Sequence, residues 1–192
     1  GLWEDIGKGV SPRGRMALAA LSSLLAVAAF GIWVERVGVP AADWALGFAP
    51  VGIAFTIFAV VGVTNAFNLI DGINGLSISI SILVAVALGY VAAAHGVPEL
   101  AQASALVVSA LGGFLVINYP FGKVFLGDAG AYSVGFILAC LAVALMHFAP
   151  DVSPAAVAEI VSPWVGFGLA VVATMYAYDG WDGLALVAGE VR

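Results

Sequence analysis

Residues 44–75 read WALGFAPVGIAFTIFAVVGVTNAFNLIDGING. The run Trp44–Val63 has no charged side chain, and the twelve residues after it hold three asparagines, one aspartate and two Asn/Asp-Gly pairs. A helix of about 20 apolar residues crosses the roughly 30 Å hydrocarbon layer of a bilayer. Backbone in lipid must satisfy its own hydrogen bonds, so a run of this length is expected to be helical. Five further runs share the pattern: Met16–Val34, Leu76–Ala94, Leu100–Asn118, Ala131–Phe148 and Ile160–Tyr178. Buried strands would need alternation and charged turns, which these runs lack. The sequence therefore predicts an all-α, polytopic transmembrane bundle of about six spans.

Composition agrees. Of 192 residues, 63% are hydrophobic and 9% charged, whereas soluble domains are about a quarter charged. The net charge of −6 and the absence of clustered Lys and Arg argue against nucleic-acid binding. The single cysteine, Cys140, excludes an intrachain disulfide and a cysteine-based metal site. The chain begins with Gly1, followed by the acidic "WED", so no cleavable signal peptide is evident and a piece of a longer protein is expected.

Six spans divide the connecting segments between two faces. Segments 1–15, 65–75, 119–130 and 179–192 share one face, with Lys8, Arg13, Arg15, Lys123 and Arg192; segments 35–43, 95–99 and 149–159 share the other, with Arg36. The positive-inside rule puts the first face, and both termini, in the cytoplasm. Asp5, Asn65, Asn68, Asp71, Asn74, Asp128, Asp179 and Asp182 all fall on that face. His95 and His147 fall at span ends on the far face, and Trp3, Trp33, Trp44, Trp164 and Trp181 lie near span ends, as an aromatic belt requires.

Three polar clusters carry candidate chemistry. In "TNAFNLIDGING", Asn65, Asn68 and Asp71 recur every three residues, which on a continuing helix forms one stripe. One interpretation is a helix end followed by a turn; the other is a binding surface for a polar ligand. A carboxylate within a span costs about 2.5–3.5 kcal/mol on insertion scales, which favours a function. In "NYPFGKVFLGDAGAYSVG", residues 118–135, the Pro and Gly residues interrupt the helix. Lys123 offers a cation for a phosphate, and Asp128 is either a hard oxygen ligand suited to Mg²⁺ or the N-cap of the next helix. In "GLWEDIGKGVSPRGRM", residues 1–16, Glu4 and Asp5 accompany Lys8, Arg13 and Arg15. These form either an interfacial charge cluster or part of a Mg²⁺–pyrophosphate site.

Together these motifs resemble the cytoplasmic motifs of the polyprenyl-phosphate N-acetylhexosamine-1-phosphate transferases, over residues 1–157. That family makes lipid intermediates of peptidoglycan, O-antigen lipopolysaccharide and teichoic acid in the bacterial inner membrane. The resemblance implies Mg²⁺-dependent transfer from a UDP-N-acetylhexosamine to a polyprenyl phosphate such as undecaprenyl phosphate, releasing UMP. It also implies roles: Asp128 as a catalytic Mg²⁺ ligand, Phe125 against the uracil ring, and Asn68 and Asp71 in nucleotide binding. Asp5 matches the second acid of the family's Asp-Asp pair, implying lipid-phosphate activation or metal support. Glu4 stands where the first Asp is usual, and Asn74 where many members have Asp. Lys123 as a phosphate partner comes from its charge and position alone. Membrane lipid and a homo-oligomeric partner are the remaining expected contacts. Residues 164–192, "WVGFGLAVVATMYAYDGWDGLALVAGEVR", resemble instead a segment of amino acid/polyamine permeases. Residues 158–192 are accordingly expected to form a last span and tail of separate origin. The alternatives to the transferase are an amino acid transporter fragment and an inactive chimeric membrane fragment.

Overall fold

The computed structural model describes residues 11–72, 75–120 and 122–149. Among them are five helices long and apolar enough to cross a membrane, and no strand. The spans are α1 (Pro12–Phe30), α3 (Ala49–Leu69), α4 (Leu76–Ala94), α5 (Pro98–Asn118) and α6 (Gly127–Phe148); a short helix, α2 (Pro40–Leu46), precedes α3. This is a polytopic helical bundle. The sixth run, Ile160–Tyr178, and the boundary expected at residue 157 lie outside the described residues.

Local sequence sets most helix ends. Proline occupies one of the first two positions of α1, α2, α3 and α5, where its missing N–H costs nothing. Ser11 caps α1 by accepting from the Gly14 N–H at 3.2 Å. Gly31, with φ of 69°, ends α1 in a left-handed cap. The helix thus stops four residues short of the run Met16–Val34, and Gly31–Val39 is extended or irregular. That segment is not loose. The Val34 N–H donates to Thr56 Oγ1 at 2.8 Å, and the Val37 N–H donates to Asp43 Oδ1 at 2.6 Å.

The second boundary correction matters more. The expected span Trp44–Val63 is displaced toward the polar motif: α3 begins at Ala49 and continues to Leu69. Thr64, Asn65 and Asn68 are therefore helical, while Asp71 lies in the turn beyond. The three-residue stripe expected of Asn65, Asn68 and Asp71 breaks at its last member.

Close packing between α3 and α6 uses small residues at four-residue spacing. On α3, Thr64 lies against Gly135 of α6 and buried Val60 clusters with Ala139, while Gly52 lies instead against Trp33 and Leu46. Such small residues let helix backbones approach within a membrane. A Cβ on Gly135 would lie 2.9 Å from Phe67 Cβ and 3.0 Å from Thr64 Cα. Phe67, Ala85, Leu138 and Leu141 then form a core shared by α3, α4 and α6. The pair α4–α5 is similarly close, with an added Gly89 Cβ only 2.9 Å from Ser104 Cβ.

Four buried hydroxyls within these spans bond to their own helices. Ser23 donates to Ala19 O, Thr56 to Gly52 O, Thr64 to Val60 O and Ser81 to Ser77 O, at 2.6–2.8 Å. Large apolar side chains such as Leu21, Leu25, Phe58, Leu106 and Val116 face outward, as a lipid environment requires.

Gly135→Val should lower stability by about 1–3 kcal/mol through overpacking, read as a lower thermal midpoint in detergent. Gly112→Ala, whose added Cβ meets nothing within 4 Å, should leave the midpoint unchanged or raise it. Equal midpoints for Gly135→Val and wild type would refute the close crossing.

Candidate active site

The antiparallel course of the spans brings the start of α1, the α3–α4 turn and the α5–α6 loop to one end of the bundle. Glu35, Arg36, Asp43, His95, Glu99 and His147 belong to the opposite end.

Asn68 lies in the last turn of α3, one turn beyond the Gly135 contact with Thr64. Its Nδ2 donates to Asp128 Oδ1 at 2.9 Å. Asp128 lies in the first turn of α6, whose N-cap position is Leu126 and has no side-chain cap bond. The N-cap alternative for Asp128 is therefore excluded: its carboxylate reaches across to α3. Its other oxygen, Oδ2, lies 3.9 Å from Arg15 Nη1. The helix dipole at the start of α6 also favours a negative group there.

Asp71 sits beside this pair, in the turn between α3 and α4. Its Oδ1 accepts a hydrogen bond from the Ser77 hydroxyl. Burial pushes the Asp71 carboxyl above its ordinary pKa; the Ser77 bond offsets part of that rise, and the charge of Asp128 adds to it. The charge effect shows that the two carboxylates are electrostatic neighbours. Since the folded state holds this proton more tightly, ionising Asp71 costs stability as pH rises through the raised value.

A second polar pair lies one turn further into the bundle. Tyr132 donates its hydroxyl to Asn65 Oδ1 at 3.4 Å, and Asn65 Nδ2 donates to Val61 O at 2.8 Å. At the outer side, Lys123 and Phe125 stand on the exposed α5–α6 loop, with Phe125 70% exposed. The structure thus brings Asn68, Asp71 and Asp128 together and puts Lys123 and Phe125 on an adjoining loop. Asp5, with Glu4, Lys8 and Asn74, lies outside the described residues. Sequence reasoning missed Ser77 and Tyr132, and it treated Arg15 only as a charge. The one available signal for Ser77 was a hydroxyl at the start of a helix six residues past Asp71.

Among the described residues, no group of three or more His, Cys, Asp or Glu side chains gathers to hold a metal ion. Mg²⁺ keeps several waters and binds through one or two carboxylates plus substrate phosphates. Asp128 and Asp71 offer hard oxygens for such an ion, and the Asn68 amide orients the first of them.

Fold and site together define a polytopic membrane protein with a carboxylate–amide–guanidinium cluster at one end of its helices. The chain belongs to glycosyl transferase family 4, which it matches over residues 1–146. It is 35% identical to a phospho-N-acetylmuramoyl-pentapeptide-transferase of Gluconobacter oxydans, over 72% of this chain and 44% of that protein. A protein of the same name from Streptococcus pneumoniae is 32% identical over 75% of this chain and 44% of its own length. One from Streptococcus equi subsp. zooepidemicus is 30% identical over 75% and 43% respectively. The chain therefore spans less than half the length of these relatives.

Asp71→Asn should remove the pH-dependent loss of stability. As pH rises above the ordinary carboxylate range, the wild-type thermal midpoint should fall relative to that of the variant. Parallel curves would contradict the buried, charge-coupled setting of Asp71.

Proposed function

We propose that this chain carries the catalytic centre of a Mg²⁺-dependent transferase. It moves an N-acetylhexosamine 1-phosphate from a UDP-sugar to polyprenyl phosphate. The observation that carries this reading is the hydrogen bond from Asn68 to Asp128. It joins two separate polar motifs at the end of the bundle where a lipid headgroup and a soluble nucleotide can meet. Family membership supports the same reaction class.

In the proposed reaction, a phosphate oxygen of the polyprenyl phosphate attacks the sugar-linked phosphorus of the donor. The bond from that phosphorus to the bridging oxygen breaks, and UMP leaves with the electron pair. The acceptor phosphate is already ionised near neutral pH, so the protein's task is alignment and charge compensation more than proton removal. Asp128 and Asp71 would hold Mg²⁺, which when bound neutralises charge developing on the diphosphate. Asn68 fixes the Asp128 carboxylate, and Arg15 brings a fixed positive charge to the same carboxylate. Lys123 is assigned to the diphosphate, Phe125 to the uracil face, and Asp5 to the acceptor phosphate or the metal. The acceptor's hydrocarbon tail stays in the bilayer, consistent with a site at the ends of spans.

The relatives' name favours a phospho-N-acetylmuramoyl-pentapeptide as the transferred group within this class. The setting proposed is the cytoplasmic membrane of a bacterium, with the site facing the cytoplasm. Buried hydroxyls that bond within their own helices make a poor midplane transport site, which weighs against the transporter alternative.

UMP release from UDP-N-acetylmuramoyl-pentapeptide and from UDP-N-acetylglucosamine, each with undecaprenyl phosphate and Mg²⁺, tests the reaction. Asp128→Asn should lower kcat by about 10²-fold or more, as loss of a charge-stabilising group does, and chelation of Mg²⁺ should abolish turnover. A folded wild type inactive with both donors would sink the reading.

Orientation has its own test. In cells, an impermeant thiol reagent should label Lys123→Cys only after the cytoplasm is opened and Glu35→Cys without that step, both in a Cys140→Ala background. The reverse pattern would overturn the assignment of faces.

A further inference from the structure

Asn118 is the last residue of α5 and only 3% exposed, yet its side chain works outside its own helix. Its Oδ1 accepts from the Gly75 N–H at 2.6 Å, and its Nδ2 donates to the Val124 carbonyl at 2.7 Å. Its main-chain carbonyl accepts from the Gly122 N–H, also at 2.7 Å. One buried residue therefore holds both connections that carry candidate site residues. Asp71 is on the α3–α4 side, and Lys123 and Phe125 are on the α5–α6 side.

The chemistry of the two partners selects an amide. A backbone N–H needs an acceptor, and a backbone carbonyl needs a donor. A primary amide presents one of each, and reversing it would set like against like at both ends. Leucine fills a similar volume but leaves two buried main-chain groups unpaired. Aspartate keeps the acceptor for Gly75 but opposes the Val124 carbonyl with a second oxygen. Gly75 leaves little room for adjustment: its φ is +81°, and an added Cβ would meet the Tyr119 ring at 3.0 Å. Gly75 is thus held through its N–H by Asn118 and covered by Tyr119 where a side chain would stand.

We propose that Asn118 is a positioning residue that clamps Gly75, at the start of α4, to the 122–126 loop, so that a nucleoside diphosphate meets both sides as one preformed surface. The identity of that ligand rests on the transferase reading; the clamp itself does not. Preorganisation of this kind raises affinity by removing the ordering cost from the binding step. A bound diphosphate that touches both connections should in turn substitute for a missing clamp.

The test uses the full chain in lipid nanodiscs, with Cys140→Ala and spin labels on Gly72→Cys and Val124→Cys. Gly72 is exposed, with nothing within 4 Å of an added Cβ, and Val124 is 42% exposed. The label-to-label distance distribution should be narrow with Asn118. It should broaden in Asn118→Leu and broaden less in Asn118→Asp, which retains one of the two bonds. Saturating UDP should narrow the Asn118→Leu distribution again, an effect that general destabilisation would not produce. On unlabelled protein, Asn118→Leu should weaken UDP binding by about tenfold or more. If Asn118→Leu does not fold, Asn118→Asp alone decides through its width and UDP affinity. Unchanged widths in the folded variants, or broadening without loss of UDP affinity, would overturn the clamp. If wild type binds no UDP, the transferase reading fails, and the widths alone uphold or overturn the clamp.

Discussion

The arrangement of the polar end depends on how closely α3 and α6 approach. At Gly135 there is no room for a side chain against Phe67 and Thr64. Two turns before Gly135 on α6 stands Asp128, and one turn after Thr64 on α3 stands Asn68. A hydrogen bond of 2.9 Å between these side chains requires the backbones to be near, because neither side chain is long. In lipid, where apolar burial gives little drive for helix association, such contact comes from the packing of small residues. The pairs Thr64–Gly135 and Val60–Ala139 are thus as much part of the site as the residues that would touch a ligand.

Polarity is handled differently at the two depths. Within the spans, Ser23, Thr56, Thr64 and Ser81 donate to carbonyls of their own helices, so their protons ask nothing of lipid, although Thr56 also accepts from the Val34 N–H. At the end of the bundle the polar bonds run between elements: Asn68 to Asp128, Asn118 to Gly75 and Val124, and Tyr132 to Asn65. The first kind of bond keeps a hydroxyl silent in hydrocarbon. The second builds a surface, and it leaves Asp128 close enough to Asp71 for its charge to be felt there.

Much of the fold was legible because hydrocarbon thickness fixes span length, and uncharged runs mark the spans directly. Their ends were less legible. Gly31 truncates α1, and α3 starts late and carries the Thr64–Leu69 segment within the helix, since Asn and Thr tolerate a helix end and charge-free length alone cannot place a terminus. The meeting of Asn68, Asp71 and Asp128 followed from span parity, which puts alternate connections on one face. The partners of those residues did not follow. Asn118 and Gly75 are 43 positions apart, and Tyr132 and Asn65 are 67 apart; sequence spacing has no signal for pairs set by helix packing. Asp128 shows the same limit, since its sequence context suits an N-cap equally well and only the proximity of α3 decides against it.

The helix that ends in Asn118 contacts α4 far more extensively than α6, and its outer face exposes Leu106, Val116 and Ile117. It is therefore a lipid-exposed span that also reaches the polar end. A tilt of this helix moves Asn118, and with it both connections that the amide holds. The spacing of the two loops is thereby coupled to the orientation of one lipid-facing helix.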